Sequence, residues 1–124
     1  MCREVKLARI LLIDDDDAVR VTIRKLLEEP GHEVDTAIDG EDGIAQFRQQ
    51  APDLVITDYR MPRASGRDVI EAIRKSNPAL PIIVVTAYMA EALPQISALG
   101  VERIFFKPFD LRRLVDAVSE CLGV

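Results

Sequence analysis

Ile10-Leu11-Leu12-Ile13-Asp14-Asp15-Asp16-Asp17 is the stretch that decides the fold: four aliphatic residues stop at four consecutive carboxylates. The aliphatic half lacks the alternation of a half-solvated strand. It reads as a strand buried on both faces, the kind found in a parallel sheet covered by helices. The acidic half crowds like charges, which disfavour one another's ionised forms, and a bound cation relieves the crowding. Only oxygen ligands are on offer, which suits a hard divalent ion such as Mg2+. A plainer reading assigns Asp16 or Asp17 to helix capping and leaves the other acids as solvated surface charge. The rest of the chain discriminates between the two.

Working outward, Val19, Ile23, Leu26 and Leu27 share one face of an amphipathic helix that Pro30-Gly31 stops. A second strand is expected over residues 34–38, and Asp39 then caps a helix through Ile44, Ala45 and Phe47. Leu54-Val55-Ile56-Thr57 forms a third strand ending in Asp58, followed by a loop to Gly66 and a helix burying Val69, Ile70 and Ile73. Pro81-Ile82-Ile83-Val84-Val85 is the fourth strand, ending in Thr86. A weaker helical signal runs on to Gly100. Proline breaks a helix interior but suits its first turn, so this fourth helix should start near Pro94 and be short, with residues 89–93 irregular. Arg103-Ile104-Phe105-Phe106 is the fifth strand, ending in Lys107-Pro108. Asp110 caps a last helix with Leu111, Leu114, Val115, Val118 and Leu122 on one face. Five β–α units joined by long crossovers require a parallel sheet with helices on both sides, an α/β three-layer sandwich.

Ligands of such sheets sit outside the carboxyl ends of the strands. Strands one, three, four and five end in Asp14-Asp15, Asp58, Thr86 and Lys107, so all four deliver a polar group to one rim. That set fits metal-assisted phosphoryl transfer. The loose transition state spreads negative charge over three equatorial oxygens. A Mg2+ held by Asp15 and Asp58, the Lys107 ammonium and the Thr86 hydroxyl would each meet one of them. A carboxylate can itself be the nucleophile, giving an acyl phosphate; Asp58, standing singly at a central strand end, is the candidate. Taken alone, Lys107 is a surface lysine, Thr86 a helix cap and Asp58 an Asx-turn. The reading rests on their joint occurrence.

Five pieces in order resemble the response-regulator receiver domain (CheY-like) of two-component signalling, over residues 8–122. They are Ile13-Asp14-Asp15-Asp16 with Ala18-Val19-Arg20; Pro52-Asp53-Leu54-Val55-Ile56-Thr57-Asp58; Met61-Pro62 with Gly66; Val85-Thr86-Ala87-Tyr88; and Phe106-Lys107-Pro108-Phe109. The resemblance implies a flavodoxin-like (βα)5 fold with strand order 2-1-3-4-5. It implies that Asp58 accepts a phosphoryl group from the phosphohistidine of a sensor histidine kinase or phosphotransfer protein. Asp14 and Asp15 would hold Mg2+ with Asp58 and the backbone carbonyl of Arg60, while Lys107 and Thr86 would bind phosphoryl oxygens. The output surface would be the fourth helix, fifth strand and last helix, a face that also admits a homodimer. On this reading the chain is a signalling domain that catalyses only its own phosphorylation and dephosphorylation. The rivals are a haloacid-dehalogenase-like phosphatase, a flavin carrier and a structural receiver that is never phosphorylated. The first wants an acid two residues after the nucleophile, where Arg60 stands; the second must bring a phosphate to an acidic loop; the intact Asp, Thr and Lys set opposes the third.

Two departures from the family pattern stand out. Ile104 occupies the position where a switching aromatic often lies; a β-branched aliphatic has little rotamer choice, so the relay from Thr86 to the surface should be altered. Arg60 and Tyr88 are both large and are expected to screen an acyl phosphate from water.

Bulk properties agree. The 124 residues suit one receiver domain, with a core over residues 8–122, and are 48% hydrophobic and 30% charged, with a net charge of −5. There is no basic stripe for nucleic acid and no apolar run long enough for a membrane. Cys2, Cys121 and the lone His32 offer no zinc set, and the cysteines read as reduced thiols of a cytoplasmic protein. Output domain or target, and cognate kinase, are not encoded here.

Overall fold

The computed structural model describes residues 7–87, 94 and 96–123. Five strands, β1 (Arg9–Ile13), β2 (Glu33–Ala37), β3 (Leu54–Asp58), β4 (Ile82–Thr86) and β5 (Arg103–Phe106), form one sheet in the order β2-β1-β3-β4-β5. Every neighbouring pair is parallel. The helices are α1 (Asp17–Glu28), α2 (Gly40–Gln49), α3 (Gly66–Ser76) and α4 (Leu111–Cys121).

The aliphatic runs divide by parity between two cores. Ile10 and Leu12 of β1 join Leu54, Ile56, Ile83 and Val85 beneath Ile23 and Leu27 of α1 and Leu114 and Val118 of α4. Leu11 and Ile13 face the other way with Val55, Ile82 and Val84, beneath Phe47 of α2 and Val69, Ile70 and Ile73 of α3. Both parities are buried, so buried polar residues of the central strands are confined to their carboxyl ends, Thr57-Asp58 in β3 and Thr86 in β4.

Element boundaries differ little from expectation. The second strand ends at Ala37, and Ile38 beyond it is 54% exposed. Asp39 caps α2 and Asp110 caps α4, each accepting backbone N–H groups of the first turn. Ser65 and Asp68 form a reciprocal capping box at the start of α3. Between β4 and β5, Pro94 and Ile96 have helical backbone, a 3-10 turn covers Ser97–Leu99, and Gly100 closes it with φ 68°. The expected irregular residues 89–93 lie outside the described ones. The end of this crossover is tied down by the Arg74 guanidinium, which donates to the carbonyls of Leu80 (2.7 Å), Gly100 (2.9 Å) and Leu99 (3.2 Å). Ile104 packs on the α2–α3 side and Phe105 on the α1–α4 side, as strand alternation requires.

Candidate functional site

β1 and β3 are adjacent central strands in register, with Ile13 opposite Thr57. Their next residues therefore emerge side by side, and Asp14 is fully buried while Asp58 is 6% exposed. Across β4, the Lys107 N–H donates to the Thr86 carbonyl at 2.8 Å, carrying the β4–β5 pairing one residue past the strand. This brings the Lys107 ammonium back over the rim, to 3.1 Å from Asp58 Oδ2 and 3.2 Å from Asp14 Oδ2. Residues 93 positions apart in sequence thus share one ion-pair cluster.

Each carboxylate is also oriented by backbone. The Tyr59 N–H donates to Asp58 Oδ1 at 2.7 Å, and the Asp16 N–H to Asp14 Oδ1 at 2.8 Å. Carboxylate oxygens of Asp14, Asp15 and Asp58 all lie within 4.8 Å of one another. Burial pushes the Asp14 carboxyl up, against the opposing pull of the Asp16 N–H and Lys107. Burial and then the charge of Asp14 push Asp58 up as well. Burial would lower Lys107, but Asp58 and Asp14 outweigh it and hold the ammonium above its ordinary value. One ammonium against three clustered carboxylates leaves negative charge unbalanced. An all-oxygen donor set with that surplus fits a hard divalent cation.

The open cleft above this cluster has a volume of 620 Å³ and is lined by Asp15, Asp16, Asp58, Arg60, Met61, Pro62, Ala87 and Lys107. Thr86 lies at the same rim but fully buried, with Ala87 forming the wall in its stead. Arg60 is exposed on the cleft side, and Tyr88 is outside the described residues. Of the acid run, Asp16 takes the capping role, accepting from the N–H groups of Ala18 and Val19, while Asp14 and Asp15 join the cluster with Asp58.

Three contacts of the site come from the structure and not from the chain. The Arg20 guanidinium donates to the Asp14 carbonyl at 2.7 Å and pairs with Asp17, reaching back from the first turn of α1. Gly66 is required by close approach: a Cβ there would sit 2.4 Å from the Asp58 carbonyl oxygen, and its own N–H donates to the Tyr59 carbonyl at 2.6 Å. Arg63, five residues after Asp58, adopts φ 71° and pairs with Asp39. Arg20 and Gly66 stand in the pieces that resemble the family, although neither contact could be read from them; Arg63 carried no signal.

A sequence profile of the response regulator receiver domain matches residues 10–119. The chain belongs to that family. The receiver domain is 37% identical over 116 residues to the response regulator MprA of Mycolicibacterium vanbaalenii, covering 92% of this chain and 50% of that protein. It is 45% identical over 78 residues to the transcriptional regulatory protein AfsQ1 of Streptomyces coelicolor, covering 63% of this chain and 34% of that one. The chain thus spans between a third and a half of these relatives' length. Among solved structures, a receiver domain protein from Clostridium thermocellum superposes with a TM-score of 0.85 at 32% identity, covering 94% of this chain and 95% of that one. The chemotaxis response regulator CheY4 of Vibrio cholerae does so with a TM-score of 0.85 at 27% identity, covering 94% and 99%. Fold and family expectations therefore hold, and the phosphatase and flavin-carrier alternatives are not favoured. Among the described residues, no helix is long and apolar enough to cross a membrane.

Proposed function

We propose that this receiver domain, with its core over residues 8–122, takes a phosphoryl group onto Asp58 from the phosphohistidine of a sensor histidine kinase or phosphotransfer protein in the cytoplasm. The observation that carries the reading is the Lys107 ammonium lying 3.1 Å and 3.2 Å from the two buried carboxylates Asp58 and Asp14. A half-buried lysine shared by two buried acids, with a third acid beside them, is an arrangement whose charges serve an incoming anion better than they serve the fold.

In this mechanism the Tyr59 N–H holds one Asp58 oxygen and orients the carboxylate for attack on phosphorus. The phosphorus–nitrogen bond of the donor breaks as the bond to Asp58 forms, and the imidazole leaves with its electron pair. Lys107 transfers its contact from the Asp58 carboxylate to a phosphoryl oxygen, so no new charge has to be brought in at the transition state. Asp14, Asp15, Asp58 and the Arg60 carbonyl would hold Mg2+, which would supply positive charge at a second oxygen. The third falls to the Thr86 hydroxyl, which must come up from its buried position to reach it. That displacement is the start of the switch toward the crossover, β5 and α4, and Ile104 in place of an aromatic alters how it reaches the surface. Arg60, on the cleft wall, shields the acyl phosphate from water.

The test is mass spectrometry after incubation with Mg2+ and acetyl phosphate. A gain of one phosphoryl group, abolished by Asp58→Asn, supports the reading; no gain, or a gain that survives Asp58→Asn, rejects it.

A further inference from the structure

β2 is the one described strand whose end supplies no group to the cleft, yet the turn that follows it carries a buried carboxylate. Asp39 is 3% exposed. Its Oδ1 accepts the Asp42 N–H at 2.8 Å, capping α2, and its Oδ2 accepts from Arg63 at 2.6 Å. Arg63 belongs to the loop after Asp58, and its side chain reaches in from solvent, being 63% exposed itself. Two further observations locate strain and contact at the same place. Arg63 has φ 71°, a left-handed backbone that residues with a Cβ adopt only when something holds them there. Next to it, the Ala64 carbonyl is packed so closely on the start of α2 that a Cβ on Gly40 would lie 2.1 Å from its oxygen. The loop is also pinned at both ends, through the Tyr59 N–H on Asp58 and the Gly66 N–H on the Tyr59 carbonyl. Between the pins lies Arg60.

Resting on the reading above, in which the Arg60 carbonyl is a metal ligand, we infer that the Arg63–Asp39 ion pair is a positioning element of the metal site. It straps the middle of the loop to the N-terminus of α2 and so sets where the Arg60 carbonyl points. Asp39 is well suited to the task. The Asp42 N–H and the Arg63 guanidinium hold its carboxyl below its ordinary value, so the strap stays charged through the physiological range. A metal ligand supplied by a loop backbone is only as well aimed as the loop, and partners one bond removed from the ligands carry about ten- to a hundredfold in metal affinity. Neither Arg63 nor Asp39 touches the reacting atoms, so neither is a catalytic residue.

The experiment is an NMR titration of the intact chain with Mg2+, together with the rate of phosphorylation by acetyl phosphate as a function of Mg2+ concentration. Arg63→Ala and Asp39→Asn, the latter retaining a helix cap, should each weaken Mg2+ binding about tenfold. The double variant should be no weaker than either single one, and Arg63→Lys should restore most of the affinity. The half-saturating Mg2+ concentration for phosphorylation should rise by the same factor, with the plateau rate unchanged. Wild-type affinity in Arg63→Ala and Asp39→Asn, while Asp14→Asn abolishes binding, overturns the strap and leaves the site reading intact. A lowered plateau with unchanged half-saturation overturns it too. Wild-type protein that takes up no Mg2+, or Asp14→Asn that binds as tightly as wild type, overturns the site reading and the strap together.

Discussion

The two ends of the sheet carry nearly the same charges and use them differently. At the amino-terminal end, the Arg9 guanidinium pairs with Glu33 at 2.6 Å and Asp35 at 2.7 Å, and the Arg9 N–H donates to Asp53 at 2.9 Å. At the carboxyl-terminal end, Lys107 pairs with Asp58 and Asp14, with Asp15 beside them. Each is one cation among three carboxylates. The acids around Arg9 are 70% and 45% exposed in their side chains, whereas Asp14 and Asp58 are 0% and 9% exposed. Water screens the first cluster, so its charges cost little and contribute little. The second retains its repulsion because burial withholds that screening. Charge count does not make a site; charge that water cannot neutralise does.

The hardest test of that contrast is removal of each cation. Lys107→Ala leaves two buried carboxylates without their partner. It should abolish phosphorylation of Asp58 and destabilise the metal-free protein by about 2 kcal/mol, below the full cost of breaking a buried pair because the ammonium is partly exposed. A urea midpoint equal to wild type would show that the rim is solvated after all. Asp14→Asn goes the other way: with one repelling charge gone, metal-free protein should gain about 1 kcal/mol, or roughly 4 °C in Tm. It should also lose the stabilisation that Mg2+ confers on wild type. Calorimetry with and without Mg2+ checks both.

Acid should act oppositely at the two ends. Asp58 has its folded pKa raised above the unfolded value of 3.8, so its charge destabilises the fold at neutral pH. The penalty disappears as pH falls through the raised value and the folded protein takes up the proton. The stability advantage of Asp58→Asn over wild type, present at pH 7, should therefore fade in acid. Near the other end, His32 is 7% exposed and accepts the Ala8 N–H on Nδ1 at 3.0 Å, so it is neutral in the fold. Burial lowers its pKa from 6.5. Its contribution is fully present above pH 6.5 and is lost as pH falls through the depressed folded value, because the unfolded chain is protonated first. The fall in urea midpoint from pH 7 to pH 5 should be smaller in His32→Gln than in wild type. The smallest effect is expected for Arg9→Ala: a urea midpoint close to wild type, and unchanged Mg2+ affinity in the same titration. A clearly lowered midpoint would erase the distinction between the ends.

Much of this was readable along the chain. Ile10 to Ile13 stopping at Asp14 announced a central strand and its rim together, because a strand buried on both faces leaves polarity nowhere to go but its end. Asp58, Thr86 and Lys107 followed from the same rule. Less legible were contacts made through backbone or from the flank of a helix, such as the Tyr59 N–H on Asp58 and Arg20 on the Asp14 carbonyl. A residue's type does not say which carbonyl a long side chain will reach. The burial of Thr86 was likewise unannounced, since a strand-end threonine reads the same whether it is exposed at the cleft or buried.

Hydrophobic pattern and strand-end chemistry alone determined the layered α/β architecture, the rim that matters and the residue types gathered there, because burial periodicity is a local property of the chain. The tertiary structure decided distances and therefore energies. That Lys107 spans two carboxylates, that the two acids are dry, and that Arg63 ties the loop after β3 to the start of α2 all depend on strand register and on which loops touch. Those are relations between segments distant in sequence, and no local window of residues contains them.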